Sequence, residues 1–188
     1  MTAVSLRSIG YCADFSQQGD WAFNFALGLA GPLNRVLNIF YVPDLAWDAP
    51  RSPSPLGPQE LVHLERRVRS YYDEKLGDFV EVGFRICEGF ADAELRRCLL
   101  HRDYQVLVLA YTRFGAPFAG RTIEAFAYRF NAPVVLVGPS QPDQCFLNPP
   151  AVLIHPQLGL ARAEWSVLAH RFTDLADSPD QCAWGNLS

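Results

Sequence analysis

The sequence predicts a doubly wound α/β fold, in which helices cover both faces of one five-stranded parallel sheet. Two observations lead to this prediction. Short, continuous apolar runs such as "VLVLA" (106–110) and "VVLV" (134–137) are typical of strands that are buried on both faces of a parallel sheet. Segments with apolar residues at helical spacing separate such runs in strict alternation. A chain of 188 residues, 49% of them apolar, is also long enough to bury a core of this kind.

The amino-terminal segment predicts a strand followed by a helix. Residues 6–13, "LRSIGYCA", form the predicted first strand, and Ser16 is the expected N-cap of the helix. Gly31 and Pro32 are expected to end this helix. Its apolar face is predicted to hold Trp21, Ala22, Phe25, Ala26 and Leu29.

The following segments continue the alternation. Residues 36–42, "VLNIFYV", are predicted as a buried second strand. Residues 43–58 contain five prolines, so they are expected to form an exposed loop. The remaining predictions are a helix at 59–76, a strand at 79–87, a helix at 92–102, a strand at 104–111, a helix at 121–130 and a strand at 132–138.

Three predicted strands end at residues that suit a ligand site. In doubly wound sheets, ligands bind outside the carboxyl ends of the strands, at the point where the strand order reverses. Asp14, Val42 and Ala110 stand at such ends. Asp14 and Ser16 are also suited to accept hydrogen bonds from first-turn N–H groups of the first helix. Both capping and ligand contact therefore remain open for Asp14, whereas capping is favoured for Ser16.

The segment after the fourth predicted strand suits an anion. "GAPFAGRT" (115–122) leads into a helix, where unpaired N–H groups and the positive end of the helix dipole favour a phosphate. Pro117 removes one of these donors, so a shortened structural connection is the alternative. The candidate phosphate-binding residues are Arg113, Gly115, Gly120, Arg121 and Thr122.

Composition argues against several classes of function. The formal net charge of −4 and the lack of long Lys/Arg clusters predict no nucleic-acid partner. The longest apolar runs fall short of the roughly 20 residues of a membrane span, and the first ten residues lack the features of a secretory signal. We therefore expect a cytoplasmic protein with no membrane partner.

Catalytic and metal-binding patterns are not found in the sequence. The five cysteines include no C-x-x-C pair, and the four histidines fall on separate predicted elements. No serine or cysteine lies in a nucleophile-elbow motif. We therefore expect no metal and no catalytic residue, and binding is favoured over catalysis.

The carboxyl-terminal residues predict an extension to the main domain. Residues 1–139 form the predicted α/β domain, and residues 140–188 form the extension. A truncated second repeat is an alternative interpretation of the extension. Within the extension we expect a linker at 140–150, a strand at 151–156 and a helix at 159–177. Because one strand and one helix cannot form a core alone, the strand is expected to extend the sheet edge beside strand five.

Several stretches in matching order resemble the universal stress protein (UspA-like) family, which has an adenine nucleotide alpha hydrolase-like fold. "ADFSQQGDWAFNFALGLAG" is similar to the family's first strand end and helix, and "LNIFYVPD" to its second strand. "VEVGFRICEG" resembles the third strand and its Gly turn, and "YQVLVLA" the fourth strand. "GRTIEAFAYRFNAPVVLVGP" resembles the family's Gly-Ser-x-x-Glu helix and fifth strand, so the resemblance covers residues 5–139.

The resemblance implies strand order 3-2-1-4-5, a homodimer formed through the fifth strand, and a stress-response role in which ATP or AMP is bound. It implies nucleotide contacts from Asp14, with its neighbour Ala13, and from Val42. The family's glycine loop is altered here, because Ala110 replaces its first glycine, Arg121 replaces a Ser/Thr, and the loop is shortened. Three hypotheses remain: a nucleotide sensor, a dimeric scaffold without nucleotide, and a weak ATP hydrolase.

Overall fold

The computed structural model describes most of the predicted α/β domain and part of the extension. The described residues are 6–31, 35–42, 57–78, 81–86, 97, 101, 104–118, 121–160 and 164–169. Residues 43–56 of the proline-rich loop therefore lie outside the described residues, as does most of the helix expected at 92–102.

The described secondary structure consists of nine strands, four α-helices and one 3-10 helix at His155–Leu158. The strands are β1 (Ser8–Cys12), β2 (Val36–Tyr41), β3 (Val82–Ile86), β4 (Val106–Ala110), β5 (Pro117–Phe118), β6 (Arg121–Thr122), β7 (Val134–Val137), β8 (Gln144–Leu147) and β9 (Glu164–Val167). The α-helices are α1 (Gln17–Ala30), α2 (Pro58–Leu76), α3 (Ile123–Arg129) and α4 (Pro149–Leu153). Within the described residues, no helix is both long and apolar enough to span a membrane.

The main sheet of the described residues has seven strands in the order β3-β2-β1-β4-β7-β8-β9. Its first five members are parallel to one another. This confirms the predicted five-stranded parallel sheet of order 3-2-1-4-5, with β7 as the fifth strand. The order reverses at β1, whose two neighbours are β2 and β4, so the crevice of a doubly wound sheet is located between β1 and β4.

Helix α1 begins where the sequence predicts. The Ser16 side chain accepts a hydrogen bond from the Gly19 N–H and caps the helix, which confirms the predicted N-cap. Gly31 is the C-cap residue. Of the predicted apolar face, Ala22, Ala26 and Leu29 are buried, whereas Trp21 and Phe25 are partly buried against the core.

The core lies on both faces of the sheet because successive side chains of a strand point to opposite faces. On one face, Ile9, Ile39 and Val108 pack with residues of α1 and α2. On the other face, Phe40, Leu107 and Leu136 pack with residues of α3, including Phe126. Both faces of β4 are therefore buried, as its continuous apolar run predicts.

The secondary structure predicted for the extension is wrong. A strand, β8, lies within the expected linker, where Cys145 and Leu147 alternate with less buried neighbours. The expected strand at 151–156 is instead helical, because the Asn148 side chain caps α4 and two prolines occupy its first turn. Within the expected helix at 159–177, Glu164–Val167 form a strand, and residues 170–177 lie outside the described residues.

The extension nevertheless lies against the sheet edge at which it was expected. Strand β8 pairs antiparallel with β7, and β9 pairs parallel with β8. The edge of the fifth strand is therefore covered by the chain itself. The resemblance implied a dimer through this same edge, so any dimer must use another surface. The domain boundary between residues 139 and 140 stays a prediction.

Candidate functional site

A small cavity lies at the carboxyl ends of β1 and β4, where the sheet topology predicts a ligand crevice. Its volume is about 110 Å³. Three of the predicted site residues, Ala13, Asp14 and Ala110, line it. The other lining residues are Cys12, Leu109, Thr112, Ala116, Pro117, Phe118 and Ile123.

The turn after β1 is built from short-range hydrogen bonds. The Asp14 Oδ1 atom accepts a hydrogen bond from the Ser16 N–H at 2.8 Å, and the Ser16 Oγ atom accepts one from the Gly19 N–H at 3.0 Å. A Cβ atom at position 19 would lie 1.8 Å from the Asp14 carbonyl oxygen, so the turn requires glycine there. Asp14 therefore stabilises the turn that precedes the helix, while Ser16 caps the helix itself. Asp14 also borders the cavity, and its contact with a ligand stays a prediction.

The hydroxyl groups of two buried tyrosines stabilise this turn. The Tyr11 hydroxyl donates to the Gly19 carbonyl at 2.8 Å and lies 3.0 Å from the Tyr72 hydroxyl. Both side chains are fully buried. Burial raises the pKa of Tyr11 well above its usual value, and it also raises the pKa of Tyr72. Both phenols therefore remain neutral hydrogen-bonding groups at physiological pH.

A buried carboxylate holds the turn after β4. Glu124 on α3 is only 1% exposed. Its Oε1 atom accepts a hydrogen bond from the Tyr111 hydroxyl at 2.7 Å and another from the Gly115 N–H at 2.9 Å. Gly115 has a φ of +69°, a left-handed conformation that favours glycine. Glu124 thus connects the start of α3 to both ends of the turn.

Other N–H groups near the predicted phosphate site are also engaged within the chain. The Ile123 N–H donates to the Ala116 carbonyl at 2.8 Å, and the Ala125 N–H donates to the Thr122 hydroxyl at 3.2 Å. The Ala116 N–H donates to the Arg113 carbonyl at 3.3 Å. A phosphate that used these particular N–H groups would have to displace these bonds, and phosphate binding by the turn stays a prediction.

The same turn narrows the crevice with an aromatic ring. Phe118 on β5 is buried and lines the cavity, and its ring centroid lies 4.7 Å from that of Phe126 on α3. Strand β5 pairs antiparallel with β6, which leads directly into α3. The shortened connection thus places a bulky apolar side chain in the crevice.

The remaining predicted site residues lie outside the cavity or outside the described residues. Val42 is buried beyond the end of β2 and does not line the cavity. Arg113, Gly115 and Arg121 are exposed, and Thr122 caps α3. Gly120 lies outside the described residues. Of the predicted site residues that the structure describes, Ala13, Asp14 and Ala110 are the ones that line the cavity together.

Sequence reasoning assigned no role to Glu124, Tyr11 or Tyr72, although Glu124 falls on the glutamate of the Gly-Ser-x-x-Glu pattern. A signal for Glu124 was present, because it is an acid within the apolar run "IEAFA" of a short helix. All five residues of this run are buried, so the carboxylate needed internal donors. The tyrosine pair left no such signal, since its members are 61 positions apart.

Within the described residues, the crevice contains neither a thiolate nor a metal-binding cluster. Cys12 lines the cavity, but burial raises the pKa of its thiol and keeps it neutral. No group of three or more His, Cys, Asp or Glu residues that suits a metal ion occurs among the described residues.

The reversal of strand order at β1, with a crevice beside it, defines a doubly wound α/β fold, in which ligands commonly bind at this position. No protein-family model and no curated protein matches the chain. Solved structures do match it, and these belong to universal stress proteins. The chain therefore has the universal stress protein fold, as the sequence resemblance implied.

Three of these structures illustrate the match. A universal stress protein family member from Burkholderia pseudomallei is 22% identical, with 70% of this chain and 96% of that chain covered and a TM-score of 0.50. UspA from Lactobacillus plantarum is 15% identical, with coverage of 72% and 99% and a TM-score of 0.52. A universal stress protein in complex with cAMP is 15% identical, with coverage of 73% and 100% and a TM-score of 0.52.

Proposed function

We propose that this chain is a non-catalytic, cytoplasmic member of the universal stress protein family, and that its crevice binds the base of an adenine nucleoside or nucleotide, with ATP and AMP among the candidates. The observation that carries this proposal is the cavity between the ends of β1 and β4, bordered by Asp14 and Ala110. A solved structure with the same fold contains cAMP, which adds support.

The size of the cavity favours a base over a whole nucleotide. Its volume of about 110 Å³ is below the roughly 300–1,000 Å³ of typical small-molecule pockets. It is closer to the about 150 Å³ of an engineered cavity that binds one benzene ring. A planar base therefore suits the crevice, and the attached sugar would extend out of it.

Calorimetric titration tests this proposal. The purified full chain would be titrated with adenosine, AMP, ATP and cAMP, with uridine as a control for the base. We expect measurable binding of at least one adenine compound and none of uridine. Ala110→Leu adds bulk at the cavity wall and should abolish this binding. Absence of heat with all four adenine compounds at millimolar concentration would overturn the proposal.

A second candidate function is that of an interaction protein without nucleotide. The internal hydrogen bonds of the turn after β4 favour it, because they occupy several of the N–H donors that a phosphate would use. In this case the partner is a second copy of the chain, paired through β9. No strand pairs with the outer edge of β9 within the described residues, and edge strands readily pair with another chain.

The mass of the full chain in solution tests this second candidate. The Val167 side chain on β9 is 49% exposed, so Val167→Lys places a charge on this edge without disturbing the core. We expect the wild-type chain to be dimeric and the variant to be monomeric. Val62→Lys on α2, where the side chain is 47% exposed, is the matched control and should stay dimeric. A monomeric wild-type chain would exclude this candidate.

A further inference from the structure

We propose that Phe118 sets the size limit of the crevice, so that the wild-type cavity encloses the base of its ligand and leaves the sugar outside. This inference rests on the proposed function and names the residue that determines how much of the ligand is enclosed. A free base should then bind as tightly as the corresponding nucleoside. The inference follows from the position of the Phe118 ring, from the contacts that fix it and from the volume that it leaves.

Phe118 forms part of the cavity wall itself. Among the described residues that line the cavity, it is the one aromatic residue and the largest side chain. The residue is only 8% exposed, so its ring lies inside the protein rather than on its surface. Ala116, Pro117 and Ile123, which come from the same connection and from the start of α3, line the cavity as well. The connection after β4 therefore contributes an apolar wall.

The ring is fixed by the residues around it. Strand β5 pairs with β6 so that Phe118 lies opposite Arg121. The Phe118 ring centroid is 4.7 Å from that of the buried Phe126, whose own centroid is 5.1 Å from that of Phe130. Such aromatic contacts add to the stabilisation that burial of the rings provides. The ring therefore limits the cavity as a fixed wall.

The volume that the ring leaves suits a base but not a nucleoside. The cavity measures about 110 Å³. Pockets for whole small molecules have roughly 300–1,000 Å³, whereas an engineered cavity of about 150 Å³ accepts one benzene ring. A phenyl group is nearly as large as benzene, so its removal should about double the volume of the cavity. The space gained would accommodate a sugar ring next to the base.

Phe118→Ala is the decisive variant because it removes the ring and leaves every other lining residue unchanged. Adenine and adenosine would be titrated calorimetrically into the full-length wild-type chain and into this variant. We expect the wild-type chain to bind the two ligands with dissociation constants within about threefold of each other. The variant should bind adenosine at least about tenfold more tightly than adenine, because the sugar gains contacts inside the enlarged cavity.

Phe114→Ala is the matched control. Phe114 lies in the same connection, but it is 54% exposed and does not line the cavity. Its replacement should leave the ratio of the two affinities unchanged. Because the loss of a buried phenyl ring can prevent folding, Phe118→Leu is the second variant. Leucine keeps a smaller apolar side chain at this position, so the ratio should rise by about threefold.

The outcomes separate this inference from the proposed function. An equal ratio in the wild-type chain and in the folded Phe118 variants overturns the inference alone. A wild-type chain that already binds adenosine far more tightly than adenine does the same, because the sugar would then be enclosed. If the wild-type chain binds neither ligand, the inference fails, and the titrations with AMP, ATP and cAMP decide whether the proposed function fails with it.

Discussion

The turn after β1 is stabilised by short-range polar contacts, whereas α3 and the extension are anchored to the sheet by long-range ones. In the amino-terminal half, Asp14 and Ser16 bond to N–H groups two and three residues away. In the carboxyl-terminal half, Glu124 reaches groups 9 and 13 residues away, and Asn148 reaches groups up to 21 residues away. Short-range bonds follow from local sequence, whereas long-range bonds depend on which elements pack together. Substitutions in each half test this contrast.

Asn148→Ala is expected to have the largest effect because Asn148 joins the extension to the main sheet. Its buried side chain accepts hydrogen bonds from the Val134 and Ala151 N–H groups. It also donates to the carbonyl groups of Ala127, Phe130 and Ala132. Loss of these bonds should lower the free energy of unfolding by about 3–5 kcal/mol, measured by urea denaturation.

Asn131 provides the control for this substitution. It is exposed, so Asn131→Ala should change the free energy of unfolding by less than about 0.5 kcal/mol. Equal effects of the two substitutions would show that Asn148 does not anchor the extension.

Gly19→Ala tests the tight turn of the amino-terminal half. The added Cβ atom would lie 1.8 Å from the Asp14 carbonyl oxygen, so the turn must shift. We expect a loss of about 2–3 kcal/mol in the free energy of unfolding, measured by urea denaturation. Gly28 lies in the same helix with open space around its Cα atom, so Gly28→Ala should instead stabilise the protein by about 0.5–1 kcal/mol. Stabilisation by both substitutions would contradict the close approach at Gly19.

Ser16→Ala tests the short-range contact that the sequence predicts most directly. Removal of the N-cap hydroxyl should cost about 1 kcal/mol in thermal or urea denaturation. Ser16→Asn should restore most of this loss, because asparagine is an equally good N-cap residue. A loss of the same size in Ser16→Asn would show that the hydroxyl has another role.

The contrast in range explains what the sequence did and did not predict. The parallel sheet, its strand order and the Ser16 cap were predictable, because continuous apolar runs and a capping residue mark them locally. The secondary structure of the extension was not predictable, because an apolar run such as "AVLI" suits either a strand or a helix. The Asn148 cap and the two prolines that follow it favour the helix. At the crevice, Asp14 and Ala110 were predictable from the strand ends. The hydrogen bonds that Glu124 accepts from the turn after β4 were not predictable, because they depend on how α3 packs against that turn.

The tyrosine pair is one of the long-range contacts of the amino-terminal half, together with the Asn38–Ser8 and Tyr71–Asp20 hydrogen bonds, and its effect should depend on pH. Burial, more than any other cause, raises the pKa of Tyr11 and of Tyr72 above the usual value of about 10. Because the pKa is higher in the folded state, the contribution of the phenol to the free energy of unfolding is fully present below pH 10, near the pKa of the unfolded chain. This contribution is lost as the pH rises above that value. The free energy of unfolding should therefore fall between pH 9 and pH 11.

Tyr72→Phe separates this contribution from general alkaline effects. At pH 7 the variant should lose about 0.5–1.5 kcal/mol, because the Tyr11 hydroxyl keeps its bond to Gly19 and loses only the partner at 3.0 Å. Between pH 9 and pH 11 its stability should fall less than that of the wild-type chain, since one buried phenol is gone. Urea denaturation at pH 7, 9 and 11 measures both effects. Parallel losses in the two chains would mean that the pair does not couple β1 to α2, and that the amino-terminal turn depends on its short-range bonds alone.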